Sequence, residues 1–106
     1  MNNQNMRIIS RPPIIEFGKK HPLAVIGLND WYKKTKRAEW RDFGEVKQTF
    51  NSCDYIGCDR YVFNIGGNKD RLVAMINFRK GTLYVRGVLT HAQYDEHGRK
   101  GTLITL

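Results

Sequence analysis

The clearest alternation of apolar and polar positions lies between residues 60 and 95. Three runs rich in β-branched and aromatic residues, Tyr61–Ile65, Arg71–Phe78 and Thr82–Leu89, are separated by Gly66-Gly67-Asn68 and by Lys80-Gly81. Short runs of this kind, bounded by glycine and asparagine, predict an antiparallel meander. Side chains in a strand alternate with period 2, so the face of each residue can be read. In the second run Leu72, Ala74, Ile76 and Phe78 share one face, and Arg71, Val73, Met75, Asn77 and Arg79 share the other. In the third, Leu83, Val85 and Leu89 are expected to oppose Thr82, Tyr84, Arg86, Val88 and Thr90. Each strand thus offers one apolar face and one face that mixes arginine with tyrosine and threonine. An arginine in mid-strand, Arg86, points to a site rather than to a core.

Upstream of the meander the period changes to that of helices. Met6–Ser10 alternates weakly and reads as a short first strand, and Ser10-Arg11-Pro12-Pro13 opens a helix, since proline is tolerated in a first turn. Ile14, Ile15 and Phe17 fit a helix to Lys20, which His21-Pro22 breaks or kinks. Leu23, Ile26 and Trp31, with Ala24 and Leu28, recur at near-helical spacing and predict a second helix to about Lys36. Asp42 as N-cap, with Glu45 three residues on, starts a short helix over Phe43–Phe50. Asn51–Gly57 reads as a turn-rich link. Residues 1–5 and 97–106 are expected to be loose tails, with a short strand at Thr102–Leu106 as an alternative. A strand, helices and then three or four strands make one α+β domain, with its helices on one sheet face.

Charge adds a partner class to this picture. The 106 residues hold 18 Lys and Arg against 10 Asp and Glu, a net charge of +8 with a pI near 9.8. Such an excess favours a polyanion, which for a small protein usually means nucleic acid. Lys33–Arg41 concentrates five cations and Trp40. It reads either as a solvated helix end, which attracts cations through the macrodipole, or as a phosphate-backbone contact surface through Lys36, Arg37 and Arg41. Trp31 and Trp40 are expected in the core rather than as base-stacking platforms. No run of 18 apolar residues is present and Met1–Asn5 has no signal-peptide character, so a cytoplasmic location with reduced Cys53 and Cys58 is expected. The cysteine spacing does not suit zinc, and neither a metal nor a cofactor is expected.

Several motifs in this order resemble one family. Val62-Phe63-Asn64-Ile65-Gly66-Gly67-Asn68, then Arg71-Leu72-Val73, then Thr90-His91-x-x-Tyr94-Asp95 are similar to the HigB-type toxins of bacterial toxin–antitoxin pairs, within the RelE-like superfamily of messenger-RNA interferases. Trp31-Tyr32-Lys33, Lys36, Trp40 and Phe43 resemble that family's helical half, so the likeness spans roughly residues 6–96. The resemblance implies a compact α+β fold with a twisted, mainly antiparallel sheet. It implies cleavage of mRNA, often in the 30S A site of the ribosome. It also implies neutralisation by a HigA-like helix-turn-helix antitoxin.

The residues themselves suit such chemistry. Metal-independent RNA cleavage needs attack of a ribose 2′-OH on the adjacent phosphate, assisted by a base, an acid and charge stabilisation. Arg71 and Arg86, on one polar face, are candidates to grip one phosphate between them. His91 can serve as acid or base near neutral pH. Tyr94 can orient, protonate or stack on a base, and Asp95 can fix the tautomer of His91 or cap the turn. Asn68, Lys69 and Arg79 are candidate RNA contacts. Two other readings stand beside the nuclease: a non-catalytic basic RNA- or ribosome-binding module on the same fold, and a partner-binding corepressor acting with its antitoxin.

Overall fold

The computed structural model describes residues 5–67 and 69–106, so the expectations for residues 1–4 and Asn68 lie outside the described residues. Strand β1 (Arg7–Ile9) leads to α1 (Pro12–Lys20), with both prolines in its first turn and Ser10 at positive φ before it. His21 ends α1, and a 3₁₀ turn over Pro22–Ala24 leads into α2 (Val25–Arg37). A third helix, α3 (Phe43–Thr49), starts where Asp42 accepts a bond from the Glu45 amide at 2.9 Å. Strands β2 (Asp54–Gly57), β3 (Arg60–Ile65), β4 (Asp70–Asn77) and β5 (Thr82–Thr90) follow, and then α4 (His91–Lys100).

The five strands form one sheet in the order β1-β5-β4-β3-β2, with β1 parallel to β5 and every other pair antiparallel. The predicted meander is β3-β4-β5. The extra strand is β2, drawn from the stretch read as a link, while Thr102–Leu106 contains a 3₁₀ turn over Leu103–Thr105 and no strand. Residues 97–100, read as tail, complete α4. Gly101 closes that helix in the left-handed conformation (φ 70°), where glycine has no Cβ to clash.

Helices α1, α2 and α3 cover one face. There Tyr61, Phe63 and Ile65 of β3, Leu72, Ala74 and Ile76 of β4, and Leu83, Val85 and Val88 of β5 form the main core. Phe63 is its centre, meeting Trp31 edge-on at 5.5 Å, Phe50 edge-on at 5.4 Å and Trp40 stacked at 6.2 Å. Both tryptophans are core residues. Gly27 lets α2 approach the β3–β4 turn, because a Cβ there would come within 3.0 Å of the Gly66 amide nitrogen.

Two expectations about faces are corrected. The buried stripe of α2 is Ala24, Leu28, Trp31 and Thr35, whereas Leu23 is 90% exposed and Ile26 is 84% exposed. Ile26 stands two residues, about 200°, from Leu28 on the same helix, and Leu23 precedes the stripe residue Ala24 by one, so both fall outside the stripe; Ile15 is also largely exposed. The second correction is in β5. Val73 lies opposite Gly87 but Ala74 lies opposite Val85, leaving Arg86 as the unpaired residue of a β-bulge. The extra residue reverses the alternation beyond it. Val88 therefore joins the main core, and Leu89 joins Val62 and Val73 on the opposite face.

Candidate functional site

The second face of the sheet is thinly covered. Its buried cluster is Val62, Val73 and Leu89, with Ile56, Tyr94, Leu103 and Leu106 packed partly over it. Helix α4 and the turn after it provide that cover, yet α4 has no buried residue of its own. Beside this cluster the same face carries Arg60, Arg71 and Arg86.

Thr90 ends β5 and caps α4. Its hydroxyl accepts from the Gln93 amide at 3.1 Å, while the Gln93 side chain accepts from the Thr90 amide at 2.9 Å. This reciprocal pair fixes where the helix begins and so sets His91 at its first position. One turn on, Oδ2 of Asp95 lies 3.5 Å from Nε2 of His91, and both side chains are more than half exposed. The distance is an ion-pair contact, longer than a hydrogen bond. Tyr94 turns the other way, onto the sheet, where the Arg71 guanidinium sits 5.3 Å from its ring centre. Arg71 also donates to the Asp70 carbonyl at 3.2 Å. The expected grouping of His91, Tyr94, Asp95 and Arg71 at one end of the sheet is therefore present in space, with Lys69 on the neighbouring β3–β4 turn.

Arg86 is not part of that group. Across from Arg71 stands Leu89, and Arg86 instead projects from its bulge to donate from Nε to the main-chain oxygen of Leu106 at 2.8 Å. The arginine that shares this oxygen is Arg60, through Nη2 at 2.8 Å. The expected grip of Arg71 and Arg86 on one phosphate is thus replaced by an Arg60–Arg86 pair. Arg60 was missed because the first run was begun at Tyr61; extending the period of Asn64 and Val62 by one step places it on the polar face.

The remaining expected RNA contacts lie at the far end. Strand β5 rises about 26 Å from Thr82 to Thr90, and Arg79 stands on the turn before Thr82. There a cleft of about 590 Å³ is lined by Arg7, Trp40, Arg41, Arg79 and Lys80 among others. Lys36 and Arg37 end α2 on this side, next to Ala38, whose carbonyl accepts from the Met6 amide. Arg41 is already engaged: its guanidinium pairs with Glu45 at 3.0 Å, and the same carboxylate accepts from its amide at 2.6 Å. These bonds hold Glu45 below the usual carboxylate range. Lys36, Arg37 and Arg79 are exposed cations.

Among the described residues no three His, Cys, Asp or Glu side chains stand together as metal ligands would. Cys53 is buried, and burial pushes its thiol up to about 12, while Cys58 is exposed. No described helix is long and apolar enough to cross a membrane.

Comparison with known proteins matches the chain to known toxins. A family model for HigB toxin, the RelE-like toxic component of a toxin–antitoxin system, matches residues 25–97, from the start of α2 into α4. The chain is 31% identical over 93 residues to the mRNA interferase HigB of Escherichia coli O6:H1, covering 86% of this chain and 90% of that protein. It is 31% identical over 93 residues to the mRNA interferase toxin HigB of Escherichia coli K12, covering 85% and 88%. The mRNA interferase HigB of Shigella flexneri matches over the same span at the same identity.

Proposed function

Because the chain belongs to the HigB family of RelE-like toxins, the toxic components of toxin–antitoxin systems, we propose that its mRNA-cleaving activity is carried by the cluster at the start of α4. The observation that carries this reading is the pairing of His91 with Asp95 one helical turn from Tyr94, which lies on Arg71. Contraction of the 3.5 Å contact lets Asp95 accept the Nε2 proton of His91. That tautomer leaves Nδ1 bare to take the proton of a ribose 2′-OH. The 2′ oxygen then bonds to the adjacent phosphorus as the bond to the 5′ oxygen breaks, giving a 2′,3′-cyclic phosphate and a 5′-OH. Arg71 stabilises the charge that gathers on the phosphorane oxygens. The Tyr94 ring keeps its guanidinium in place, and the Tyr94 hydroxyl is within the same group to serve the leaving oxygen.

Each step uses side chains of the chain itself, so cleavage is proposed to be metal-independent. The net charge of +8 supports docking on the ribosome, with mRNA cut while it is being translated. A HigA-like helix-turn-helix antitoxin is the proposed partner that silences the toxin, and the cytoplasm is the proposed location. Induced expression in growing bacteria, wild type beside His91→Ala, with primer-extension mapping of mRNA ends, tests the assignment. Growth arrest and new in-frame 5′ ends are expected from wild type alone. A folded His91→Ala protein that arrests growth and cuts mRNA as wild type does removes His91 from the mechanism.

A further inference from the structure

Arg60 and Arg86 rise from β3 and β5, with β4 between them, yet both guanidinium groups end on one atom. Nη2 of Arg60 and Nε of Arg86 each lie 2.8 Å from the main-chain oxygen of Leu106. The fold takes pains to bring them there. The bulge opposite Val73 and Ala74 leaves Arg86 outside the cross-strand register. Arg60 is steered by its other nitrogen, Nη1, which donates at 2.9 Å to the carbonyl of Cys58, in a turn where Cys58 and Asp59 both have positive φ. Nε of Arg60 is buried without a hydrogen-bond partner among the described residues.

Two permanent positive charges repel at this range. Their convergence is favourable only around an electron-rich oxygen, and a single main-chain oxygen uses one nitrogen from each. A phosphodiester presents two anionic oxygens, which matches the fork of donors on each guanidinium. We propose that Arg60 and Arg86 form a two-guanidinium site for one phosphodiester of bound RNA, and that the Thr102–Leu106 turn occupies this site until RNA displaces it. The identity of the ligand as RNA rests on the function proposed above. On β4, Met75 lies opposite Arg60 and four residues from Arg71, about 13 Å along the strand. The pair therefore holds a different phosphate from the one at Arg71 and His91, and so sets the register of the RNA across the sheet.

The turn is built to lift. Gly101 starts it in the left-handed conformation, His97 Nδ1 and Thr102 Oγ1 hold its root at 2.6 Å, and beyond that it rests on Val62, Val73 and Leu89 through Leu103 and Leu106. A hinge at the root and a small apolar seat leave the two guanidinium bonds to Leu106 as the main hold on the turn, and a phosphodiester replaces those bonds as the turn lifts.

A fluorescein-labelled 2′-O-methyl RNA nonamer, which cannot be cut by 2′-OH attack, reads binding alone by fluorescence anisotropy. Arg60→Ala is expected to weaken binding roughly tenfold or more, the loss of a charge-assisted hydrogen bond, with partial recovery in Arg60→Lys. In the full chain, the arginine Nε–Hε NMR signals of Arg60 and Arg86 should shift on titration together with the amides of Ile104–Leu106. Wild-type affinity in Arg60→Ala overturns the site, and so do stationary Arg60 and Arg86 signals at saturation. Shifted arginines with stationary Ile104–Leu106 amides overturn the displacement. Because the probe is uncleavable, failure of the nuclease reading in the growth assay and failure of this site are seen separately.

Discussion

Beneath α1, α2 and α3 the sheet buries an aromatic cluster around Phe63, whereas beneath α4 it buries Val62, Val73 and Leu89 and sets three arginines beside them. The first face concentrates large apolar area, the main source of folding free energy. The second buries little, and its covering helix hides none of its own residues. With stability supplied from one side, the other can carry guanidinium groups that a dense core would exclude. It also leaves room for a terminal turn that bound RNA is proposed to displace. The division predicts that substitutions on the first face are felt as unfolding and those on the second as lost chemistry.

The sharpest way to break that division is Phe63→Ala. Removing a fully buried ring that meets Trp31, Trp40 and Phe50 should lower unfolding free energy by about 3–5 kcal/mol, read from urea midpoints. Leu89→Ala on the second face should cost about 2 kcal/mol, since Leu89 sits at the margin of a small cluster. Equal costs would mean that the two faces share the load. Arg71→Ala should show the converse pattern, with RNA cleavage reduced by about 10²–10³-fold, as for loss of one charge-stabilising donor, and a urea midpoint shifted by no more than about 0.5 kcal/mol. A variant that loses stability and activity together would make Arg71 a structural residue.

The first face was largely legible in the sequence and the second was not, for reasons that can be named. Period 2 located β3, β4 and β5, and the prolines and Asp42 located the starts of α1 and α3, because local chemistry fixes those features. The bulge at Arg86 leaves no such mark: one unpaired residue interchanges Val88 and Leu89 between the two faces. Helix α4 has almost no apolar periodicity, so its second half, residues 97–100, reads as tail. Its signal was the Thr90–Gln93 capping box, which announces a helix start without a hydrophobic run. The convergence of Arg60 and Arg86 depends on Leu106, 46 and 20 residues away in the chain. The His91–Asp95 contact was readable because it spans a single helical turn.

Alkaline pH offers a smaller test of the same comparison, since Cys53 and Tyr61 both belong to the first face. Burial raises the Cys53 thiol to about 12 and also raises the Tyr61 hydroxyl. A thiol raised on folding contributes stability that is complete below its ordinary value near 9 and is lost as pH climbs toward 12. Between pH 9 and 10.5 the loss from Cys53 should reach at most about 2 kcal/mol. In Cys53→Ala the urea midpoint should fall less steeply over that window, leaving the part due to Tyr61. Cys58, being exposed, should react with a thiol reagent in the native protein while Cys53 waits for unfolding. Equal slopes in wild type and variant would show that Cys53 is hydrated, and that the first face is less tightly closed than its packing indicates.

The smallest effect is expected where the helical face itself turns outward. Leu23 and Ile26 belong to the segment that covers the main core, yet they stand 90% and 84% exposed, while Leu28 two residues on is 1% exposed. Apolar side chains already in water lose nothing by becoming polar. Leu23→Ser and Ile26→Ser should each leave the urea midpoint within about 0.5 kcal/mol of wild type, against about 2–5 kcal/mol for Leu28→Ala. The contrast isolates burial from helix membership, because all three residues lie within one six-residue stretch. A loss above about 1 kcal/mol at Leu23 or Ile26 would place those side chains in a covered environment in solution. The protected face of the sheet would then extend past the outer surface of α2, and its advantage over the arginine-bearing face would be larger than the main core alone accounts for.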